Sequence, residues 1–282
     1  MSEIVNVEMA AAWDGDQGDQ WVEREEQMNE ALAAHSARLL AAAAVGASDH
    51  VLDIGCGTGE TTRACAEQAV DGRVLGIDLS TAMLERARLR ATAAALTNIE
   101  FERADAQMYP FAGAAYDLVV SQFGVMFFDD PVAAFTNIGR GVKPGGRLAC
   151  IVWQEFARNE WVTVARDALA AGRSLPTPPA GAPGPFGLGD RDQTRGILEG
   201  AGFVDVAFDD VAVPFFFGAD TDDAFDFAQS IGIVRGLLDD LDGERRARAL
   251  DELRDALAAH EADEGVVFDS RVWVITAVRE VL

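Results

Sequence analysis

Two hydrophobic periods alternate along the first half of the chain. Runs of mostly aliphatic residues predict five strands, at 51–54, 74–79, 99–104, 116–123 and 147–153. The stretches between them favour helices: TTRACAEQAV, STAMLERARLRATAAA, and DPVAAFTNIGRGV with Asp130 as N-cap and Pro131 at the first helical position. Strands and helices that alternate at this spacing predict parallel βαβ units, and hence a doubly wound α/β core over residues 30–153.

The second half of the chain shows no such regular alternation. Residues 155–175 predict a helix, and the Pro- and Gly-rich SLPTPPAGAPGPFGLGD after it predicts an ordered loop or a lid. The remaining predicted elements are a helix capped by Asp190, a sixth strand in FVDVAFDDVAVPFFF, two acidic helices at about 221–240 and 243–262, and a seventh strand in RVWVITAVRE. KPGGRL at 143–148 indicates a tight turn that feeds the fifth strand.

We expect the 282 residues to form a single domain, because 49% of them are hydrophobic and can fill one large core. Residues 1–30 are expected to form an N-terminal cap. The insertions at 155–190 and 219–263 are expected to form a lid, since ligands of doubly wound folds bind at the carboxyl ends of the strands.

The charge balance argues against nucleic acid as a partner. There are 47 acidic and 23 basic residues, for a formal net charge of −24, and such a surface repels phosphate backbones. The basic residues are interleaved with acids, as in ERARLR and GERRARA, so no basic patch is indicated.

The sequence also predicts the cellular compartment of the protein. No run approaches about 18 apolar residues, and the N-terminus lacks the pattern of a signal peptide, which predicts a cytoplasmic protein with no membrane partner. Cys56, Cys65 and Cys150 have no CxxC or other metal-like spacing, so we expect buried thiols and no metal site.

The stretch VLDIGCGTGE indicates a ligand-binding loop between the first strand and the next helix. Its order is Asp53, Gly55, Gly57 and Gly59, and Glu60 occupies the third glycine position of the dinucleotide fingerprint. A carboxylate at Asp53 would oppose a pyrophosphate and would suit a ligand with positive charge. On this evidence alone, a tight strand-to-helix turn explains the glycines equally well.

Two further acids follow the next two strands. Asp78 ends the second strand, where a carboxylate can bind both hydroxyls of a ribose. Asp105 follows the third strand, and either its side chain or the Ala106 amide could bind the exocyclic amine of adenine. Carboxylates after three successive parallel strands face one crevice, which favours a nucleoside cofactor.

These motifs resemble the class I S-adenosylmethionine-dependent methyltransferases. The resemblance rests on VLDIGCGTGE, GIDLS with Met83 after it, ADAQMYPF, YDLVVSQFG and VKPGGRL, which together cover about residues 50–153. NIEFERADAQMYPF and SQFGVMFFDD are most similar to the ubiquinone/menaquinone-biosynthesis C-methyltransferase type. The resemblance implies a Rossmann-like, seven-stranded sheet with its last strand antiparallel, and S-adenosylmethionine lying over the glycine loop.

The same resemblance implies a set of cofactor-binding residues. Asp78 would bind the ribose, and Asp105 and Ala106 would lie beside the adenine. The full set is Trp13, Trp21, Asp53, Gly55, Cys56, Gly57, Thr58, Asp78, Leu79, Met83, Asp105, Ala106, Gln107, Ser121 and Phe123. Trp13 and Trp21 have two readings, as aromatic residues that close over the cofactor or as an anchor for the N-terminal segment.

The resemblance also implies that the segment SQFGVMFF lies beside the transferred methyl group. It has no histidine and no acid before Asp129, and it lacks the [DNS]-P-P-[FY] signature of amine methylation in nucleic acids. We expect a small hydrophobic or aromatic acceptor in a pocket lined by Phe123, Met126, Trp153, Phe186, Phe227 and Ile231.

No catalytic side chain is predicted. Of the three histidines, only His35 could reach the pocket as a base, whereas His50 and His260 are expected on the surface. Two alternatives to a small-molecule enzyme stay open: a protein methyltransferase, which the acidity disfavours, and a cofactor-binding scaffold or regulator without turnover. The sequence leaves open a homodimer and methylation on oxygen, nitrogen or carbon.

Overall fold

One mixed sheet forms the centre of the molecule. The computed structural model describes residues 4–111, 113–175 and 181–281. Within these ranges the strands are β1 His50–Ile54, β2 Arg73–Asp78, β3 Ile99–Arg103, β4 Tyr116–Gln122, β5 Val142–Trp153, β6 Phe203–Gly218, β7 Glu261–Ala262 and β8 Gly265–Arg279. The order is β3-β2-β1-β4-β5-β8-β6, and the short β7 pairs with β8. β1 to β5 are parallel, whereas β8 runs antiparallel between β5 and β6. The predicted seven-stranded sheet with an antiparallel last strand is confirmed, and β7 is a two-residue addition.

Helices cover both faces of the sheet. They are α1 Val7–Trp13, α2 Asp16–Glu23, α3 Glu25–Ala43, α4 Glu60–Gln68, α5 Thr81–Ala93, α6 Pro131–Gly141, α7 Glu160–Leu169, α8 Arg191–Gly200, α9 Thr221–Ser230, α10 Gly232–Asp239 and α11 Gly243–Ala258. The predicted caps are confirmed: Asp130 accepts a hydrogen bond from Ala133 N and Asp190 accepts one from Gln193 N. None of the helices in the described ranges is long and apolar enough to cross a bilayer.

Three sequence-predicted elements differ from the structure. The helix predicted at 155–175 is shorter, since a 3₁₀ turn at Phe156–Arg158 precedes α7. The helix predicted at 221–240 is two helices, because Ile231 has extended backbone angles and separates α9 from α10. The segment 143–146 is a bulge inside β5 and not a separate turn, since the pairing with β4 jumps from Val142 to Arg147.

The central strands are buried on both faces. Leu52 of β1, Val119 of β4 and Ile151 of β5 are each 0% exposed. Parallel strands covered by helices on both sides read as continuous apolar runs, which is why the sequence predicts them clearly.

Charged contacts fasten the N-terminal helices to the core. Asp14 accepts a hydrogen bond from Thr81 N at the start of α5 (2.7 Å) and pairs with Arg103 at the end of β3 (2.7 Å). Glu25, at the start of α3, is 2% exposed and pairs with Arg90 (2.7 Å) and Arg86 (3.3 Å) of α5. These contacts hold the N-terminal helices against the strand ends where a ligand would bind.

The Glu25 contact predicts a stability difference between two adjacent glutamates. Glu25→Gln removes a buried charge, but its arginine partners remain 37% exposed and can be solvated, so we expect a loss of about 1–2 kcal/mol in unfolding free energy. The matched control is Glu26→Gln, because Glu26 also contacts Arg90 but is 87% exposed, and it should change stability by less than about 0.5 kcal/mol. Urea unfolding measures both variants, and equal losses would contradict this account.

Candidate active site

A cavity of about 510 Å³ opens at the carboxyl ends of the parallel strands. Its walls come from the loops after β1, β2, β3 and β4, from the end of β5, from α1 to α3, and from residues 183–185 and 230–235. This is the edge of the sheet where doubly wound folds bind ligands.

The glycine loop, residues 55–59, forms one wall and is shaped by a backbone contact. A Cβ on Gly55, which has φ +67°, would lie 2.7 Å from Gly124 Cα, so no side chain fits there. Gly55 N and Cys56 N both donate to Ile77 O, which anchors the loop to β2 (2.9 and 3.1 Å). α4 begins directly after the loop, and its N-terminus carries no side-chain cap. The loop therefore presents backbone and a positive helix end to a ligand.

Asp53 is a buried carboxyl group with one unused oxygen. Its Oδ2 accepts a hydrogen bond from Thr62 Oγ1 (2.7 Å), whereas Oδ1 has no partner in the described residues. Burial raises the pKa of Asp53 to about 7, and the nearby Asp78 carboxylate adds to the rise. A cationic group of a ligand beside Oδ1 would supply the missing partner and stabilise the ionised form.

Asp78 joins the ends of two loops. Its Oδ2 accepts a hydrogen bond from Gly57 N (2.9 Å) and its Oδ1 accepts one from Ser80 N (2.8 Å). Burial raises the pKa of this carboxyl group. Each oxygen retains a lone pair for a second donor, so the two hydroxyls of a ribose could both be bound.

Asp105 also lines the cavity, but its oxygens are already engaged. Oδ2 accepts hydrogen bonds from Val5 N (3.1 Å) and Asn6 N (3.0 Å), and Oδ1 accepts from Gln107 N (3.0 Å) and Gln107 Nε2 (3.4 Å). The carboxylate therefore fastens the segment before α1, and it has little capacity left for an adenine amine. Of the two sequence hypotheses for adenine, this arrangement favours the Ala106 amide, which stays a prediction.

Aromatic rings line the opposite end of the cavity, which we call the aromatic end: Phe123, Trp153, Trp161 and Phe215. Phe123 stacks on Trp153 with a centroid distance of 4.4 Å and an interplanar angle of 16°. Trp161 lies 5.4 Å from both Trp153 and Phe215. Phe123 has φ +60°, a left-handed conformation rare for an aromatic residue, and such strain concentrates at functional sites.

Most of the sequence-predicted site residues line this one cavity. They are Trp13, Trp21, Asp53, Gly55, Cys56, Gly57, Thr58, Asp78, Leu79, Met83, Asp105, Ala106, Phe123, Met126, Trp153 and Ile231. Trp13 packs edge-on against both Trp21 and Phe127, so the aromatic pair both anchors the N-terminal helices and forms part of the wall.

Four predicted residues lie outside the cavity wall, each for a structural reason. Ser121 is buried and bridges two loops, since its Oγ donates to Ile54 O (2.8 Å) and accepts from Gly124 N (3.2 Å). Gln107 is engaged by Asp105 and by Asp130 N. Phe227 is fully buried among the rings of β6, and Phe186 packs behind Trp161 against Phe156. Phe186 and Phe227 therefore pack behind the aromatic end of the cavity and do not form its wall.

Several wall residues were not predicted from the sequence. They include Asn6, Met9, Gln17, Met28, Leu32, Phe127, Trp161, Phe215, Ile233 and Arg235. The spacing of Met28 and Leu32, four residues apart on α3, was a usable signal of one helix face. Arg235 and Asn6 carried no such signal, because their positions depend on long-range packing.

His35 does not belong to the cavity wall, contrary to the expectation that it could reach the pocket. It is 0% exposed and lies behind the rings of Phe123, Trp153 and Phe215. Ser270 Oγ donates to Val213 O (2.6 Å) and so accepts from His35 Nε2 (3.0 Å), which leaves Nδ1 unprotonated and without a partner. Burial lowers the pKa of His35 to about 4, so the ring is neutral at physiological pH.

The other two histidines lie away from the cavity. His50 is exposed in β1. His260, expected on the surface, is half-buried instead, because its ring packs over Phe268 at 4.3 Å.

Comparisons with known proteins agree with this geometry. A family model described as a methyltransferase domain matches residues 51–146. Two curated relatives are the demethylmenaquinone methyltransferase of Lactiplantibacillus plantarum, 38% identical over 104 residues, and the aklanonic acid methyltransferase DauC of a Streptomyces species, 38% identical over 102 residues. Each match covers 36% of this chain, and 44% and 46% of the relatives, so the chain spans under half the length of these relatives.

A solved structure matches over more of the chain. Phosphoethanolamine N-methyltransferase 2 of Haemonchus contortus, in complex with S-adenosyl-L-methionine, has a TM-score of 0.55. The match covers 90% of this chain and 53% of that protein at 20% identity, and at this identity the likeness shows the fold.

Residues 51–146 therefore carry a methyltransferase domain on a Rossmann-like sheet. The resemblance found in the sequence is confirmed over this part of the chain: residues 51–146 match a methyltransferase domain and are similar to a demethylmenaquinone methyltransferase.

The neutral state of His35 predicts a specific acid sensitivity. The unfolded chain binds a proton at His35 near pH 6.5 and the folded protein only near pH 4, so stability falls as pH drops through this window. The loss from this residue approaches about 3 kcal/mol at the low end. Urea unfolding at about pH 7 and about pH 4 should show that His35→Gln loses less stability on acidification than the wild type. His50→Gln, at an exposed site, is the control and should retain the wild-type slope.

The Asp105 contacts predict local opening of the N-terminal segment. Asp105→Asn replaces one acceptor oxygen by a donor group, so two of the four donors lose their partner. Hydrogen exchange of the α1 amides should accelerate about 10- to 100-fold, while α4 exchanges as before. Asp129→Asn is the control, because Asp129 is exposed. Unchanged exchange in α1 would show that other contacts hold this segment.

Proposed function

We propose that the protein transfers a methyl group from S-adenosylmethionine to a small apolar or aromatic acceptor. The observation that carries the proposal is a single cavity with two chemically distinct ends. Carboxylates and the glycine loop line one end, and stacked aromatic rings line the other. The two ends meet where β1 and β4 terminate, which suits a polar cofactor that must meet an apolar acceptor.

The residues present fit S-adenosylmethionine at the glycine-loop end. Asp78 retains acceptor capacity for the ribose hydroxyls, and Asp53 offers a buried, unpartnered oxygen to a cationic group. The glycine loop leaves room for backbone contact with the ligand, and Trp13 and Trp21 would cover it. Aromatic faces near a cation add about 0.5–2 kcal/mol of attraction.

The chain's own contribution to the reaction is alignment and exclusion of water. S-adenosylmethionine, when bound, would supply a methyl group that its sulfonium already activates: the sulfur would keep the electron pair of the carbon–sulfur bond, and the acceptor would supply the pair for the new bond. The stacked Phe123 and Trp153 present a flat apolar wall on which an acceptor ring can be oriented. Such alignment can lower a barrier by about 7–11 kcal/mol. The neutral, enclosed His35 supports the hypothesis that no single side chain acts as an indispensable base.

The alternatives fit less well. A net charge of −24 disfavours nucleic acid, and a cavity of about 510 Å³ with mostly apolar walls suits a small molecule better than a protein side chain on a large surface. The names of the two relatives also point to small acceptors, demethylmenaquinone and aklanonic acid. A cofactor-binding scaffold without turnover would keep the same glycine-loop end, so only a turnover measurement separates it from an enzyme.

Substitution of Asp78 tests the cofactor assignment. Asp78→Ala removes the charged acceptors for the ribose, so calorimetric titration should show S-adenosylmethionine binding weakened about 10- to 100-fold. Wild-type protein should bind NAD far more weakly than S-adenosylmethionine, because the Asp53 carboxylate beside the glycine loop opposes a pyrophosphate. Asp71→Ala, at an exposed aspartate in the turn before β2, is the control and should bind normally.

Two results would contradict the proposal. Tighter binding of NAD than of S-adenosylmethionine would remove the cofactor assignment, and normal binding by Asp78→Ala would remove Asp78 as the ribose ligand. A screen with methyl-labelled S-adenosylmethionine against a metabolite extract then separates the enzyme from the scaffold, since only the enzyme transfers label to an acceptor.

A further inference from the structure

The charges around the cavity are divided between its two ends. The acids of the wall, Asp53, Asp78, Asp105 and Glu60, come from the glycine loop and the strand ends beside it. Arg235, on α10, is the one cationic side chain among the described residues that line the cavity. α10 packs against α7 and α9, so this arginine belongs to the helical insertion and not to the glycine loop.

The guanidinium of Arg235 has no counter-charge. No carboxylate of the described residues lies within 4.0 Å of it, and its Nη1 is buried without any hydrogen-bond partner. In a chain with 47 acids and 23 bases, an arginine that faces a cavity unpaired is unexpected. Arg235 as a whole is half-buried. A donor nitrogen that is buried without a partner destabilises the protein, which favours a ligand that supplies one.

A second donor of the same wall also lacks a partner. Trp161, on α7, is 4% exposed, and its indole Nε1 is buried with no hydrogen-bond acceptor among the residues that the structure describes. Buried tryptophans normally pair this N–H. Trp161 belongs to the aromatic end, 5.4 Å from Trp153 and from Phe215. Two unpaired donors thus accompany a set of apolar rings on helices that pack together.

We propose that the methyl acceptor is an aromatic acid: a flat apolar molecule with an ionised oxygen, either a carboxylate or a phenolate, that Arg235 and Trp161 Nε1 bind. Stacked rings accommodate the apolar body, and the two donors hold the charged oxygen. This inference rests on the proposed methyltransferase function and names the substrate class of the same site. It also makes Arg235 a specificity-determining residue, since the acids elsewhere in the wall repel an anion.

The competing explanation is that Arg235 binds the carboxylate of the cofactor itself. The two explanations differ in which ligand loses affinity when the charge is removed. Binding of S-adenosylhomocysteine and of an acceptor probe must therefore be measured separately.

The test uses paired probes that differ in charge. Full-length protein saturated with S-adenosylhomocysteine is titrated by calorimetry with 2-naphthoate and with 2-naphthamide, which has nearly the same shape. A second pair, 4-nitrophenolate and 4-nitroanisole at mildly alkaline pH, tests the phenolate. We expect the anion of at least one pair to bind about 10- to 100-fold more tightly than its neutral partner. The pair that shows the preference identifies the acid group.

Variants then assign the preference. Arg235→Gln should abolish the tighter binding of the anionic probe and leave the affinity for S-adenosylhomocysteine within about 2-fold of the wild type. Arg235→Lys should keep part of the preference for the anion. Trp161→Phe keeps a ring but removes the N–H, and it should reduce the ratio of anion affinity to neutral-probe affinity about 3- to 10-fold. Arg245→Gln, at an exposed arginine of α11, is the charge-matched control and should behave as the wild type.

Each contrary result has a distinct meaning. No anion preference in wild-type protein, or equal weakening of both members of a pair by Arg235→Gln, overturns the inference. Loss of S-adenosylhomocysteine affinity in Arg235→Gln, with anion preference retained, assigns the arginine to the cofactor instead. Failure of wild-type protein to bind S-adenosylhomocysteine at all would contradict the proposed function and not this inference alone.

Discussion

A contact between two glycines holds the two halves of the candidate site together. Gly55 follows β1 and Gly124 follows β4, and a Cβ on Gly124 would lie 2.6 Å from Ile54 O and 2.8 Å from Gly55 Cα. Any side chain at either position would force the two loops apart. Because the loop after β1 forms the glycine-loop end of the cavity and the loop after β4 forms the aromatic end, this backbone contact sets the distance between the two ends. Phe123, directly before Gly124, has a left-handed backbone conformation and lies in the same close contact between the two loops.

Much of this arrangement follows from local sequence pattern. The strands of the parallel sheet are predicted because they are buried on both faces, and the caps at Asp130 and Asp190 because N-caps are local interactions. The acids after β1, β2 and β3 meet because carboxyl ends of parallel strands share one edge. The break at Ile231 escaped prediction, since the apolar spacing continues through it and only the backbone angles change.

The composition of the cavity wall could be predicted only in part. Phe227 has the same apolar character as Ile231, and a one-dimensional pattern cannot tell a core-facing ring from a cavity-facing one. Trp161 and Arg235 reach the cavity through packing between helices that are distant in sequence. Asp105 was recognised as a strand-end acid, but its use by the amides of Val5 and Asn6 depends on a segment 99 residues away. Local rules therefore predict the glycine-loop end of the cavity better than its aromatic end.

The link between Asp105 and the N-terminal segment has a kinetic consequence. α1 and α2 form part of the cavity wall, and the carboxylate that borders the candidate adenine site also anchors the segment that leads into them. A nucleoside bound beneath these helices would be released more readily when they separate from the strand ends. Such separation is a local unfolding event of the first helices, with its own free energy below that of global unfolding. The residence time of the nucleoside would then depend on fraying of α1 and α2, and not only on its contacts with the glycine loop.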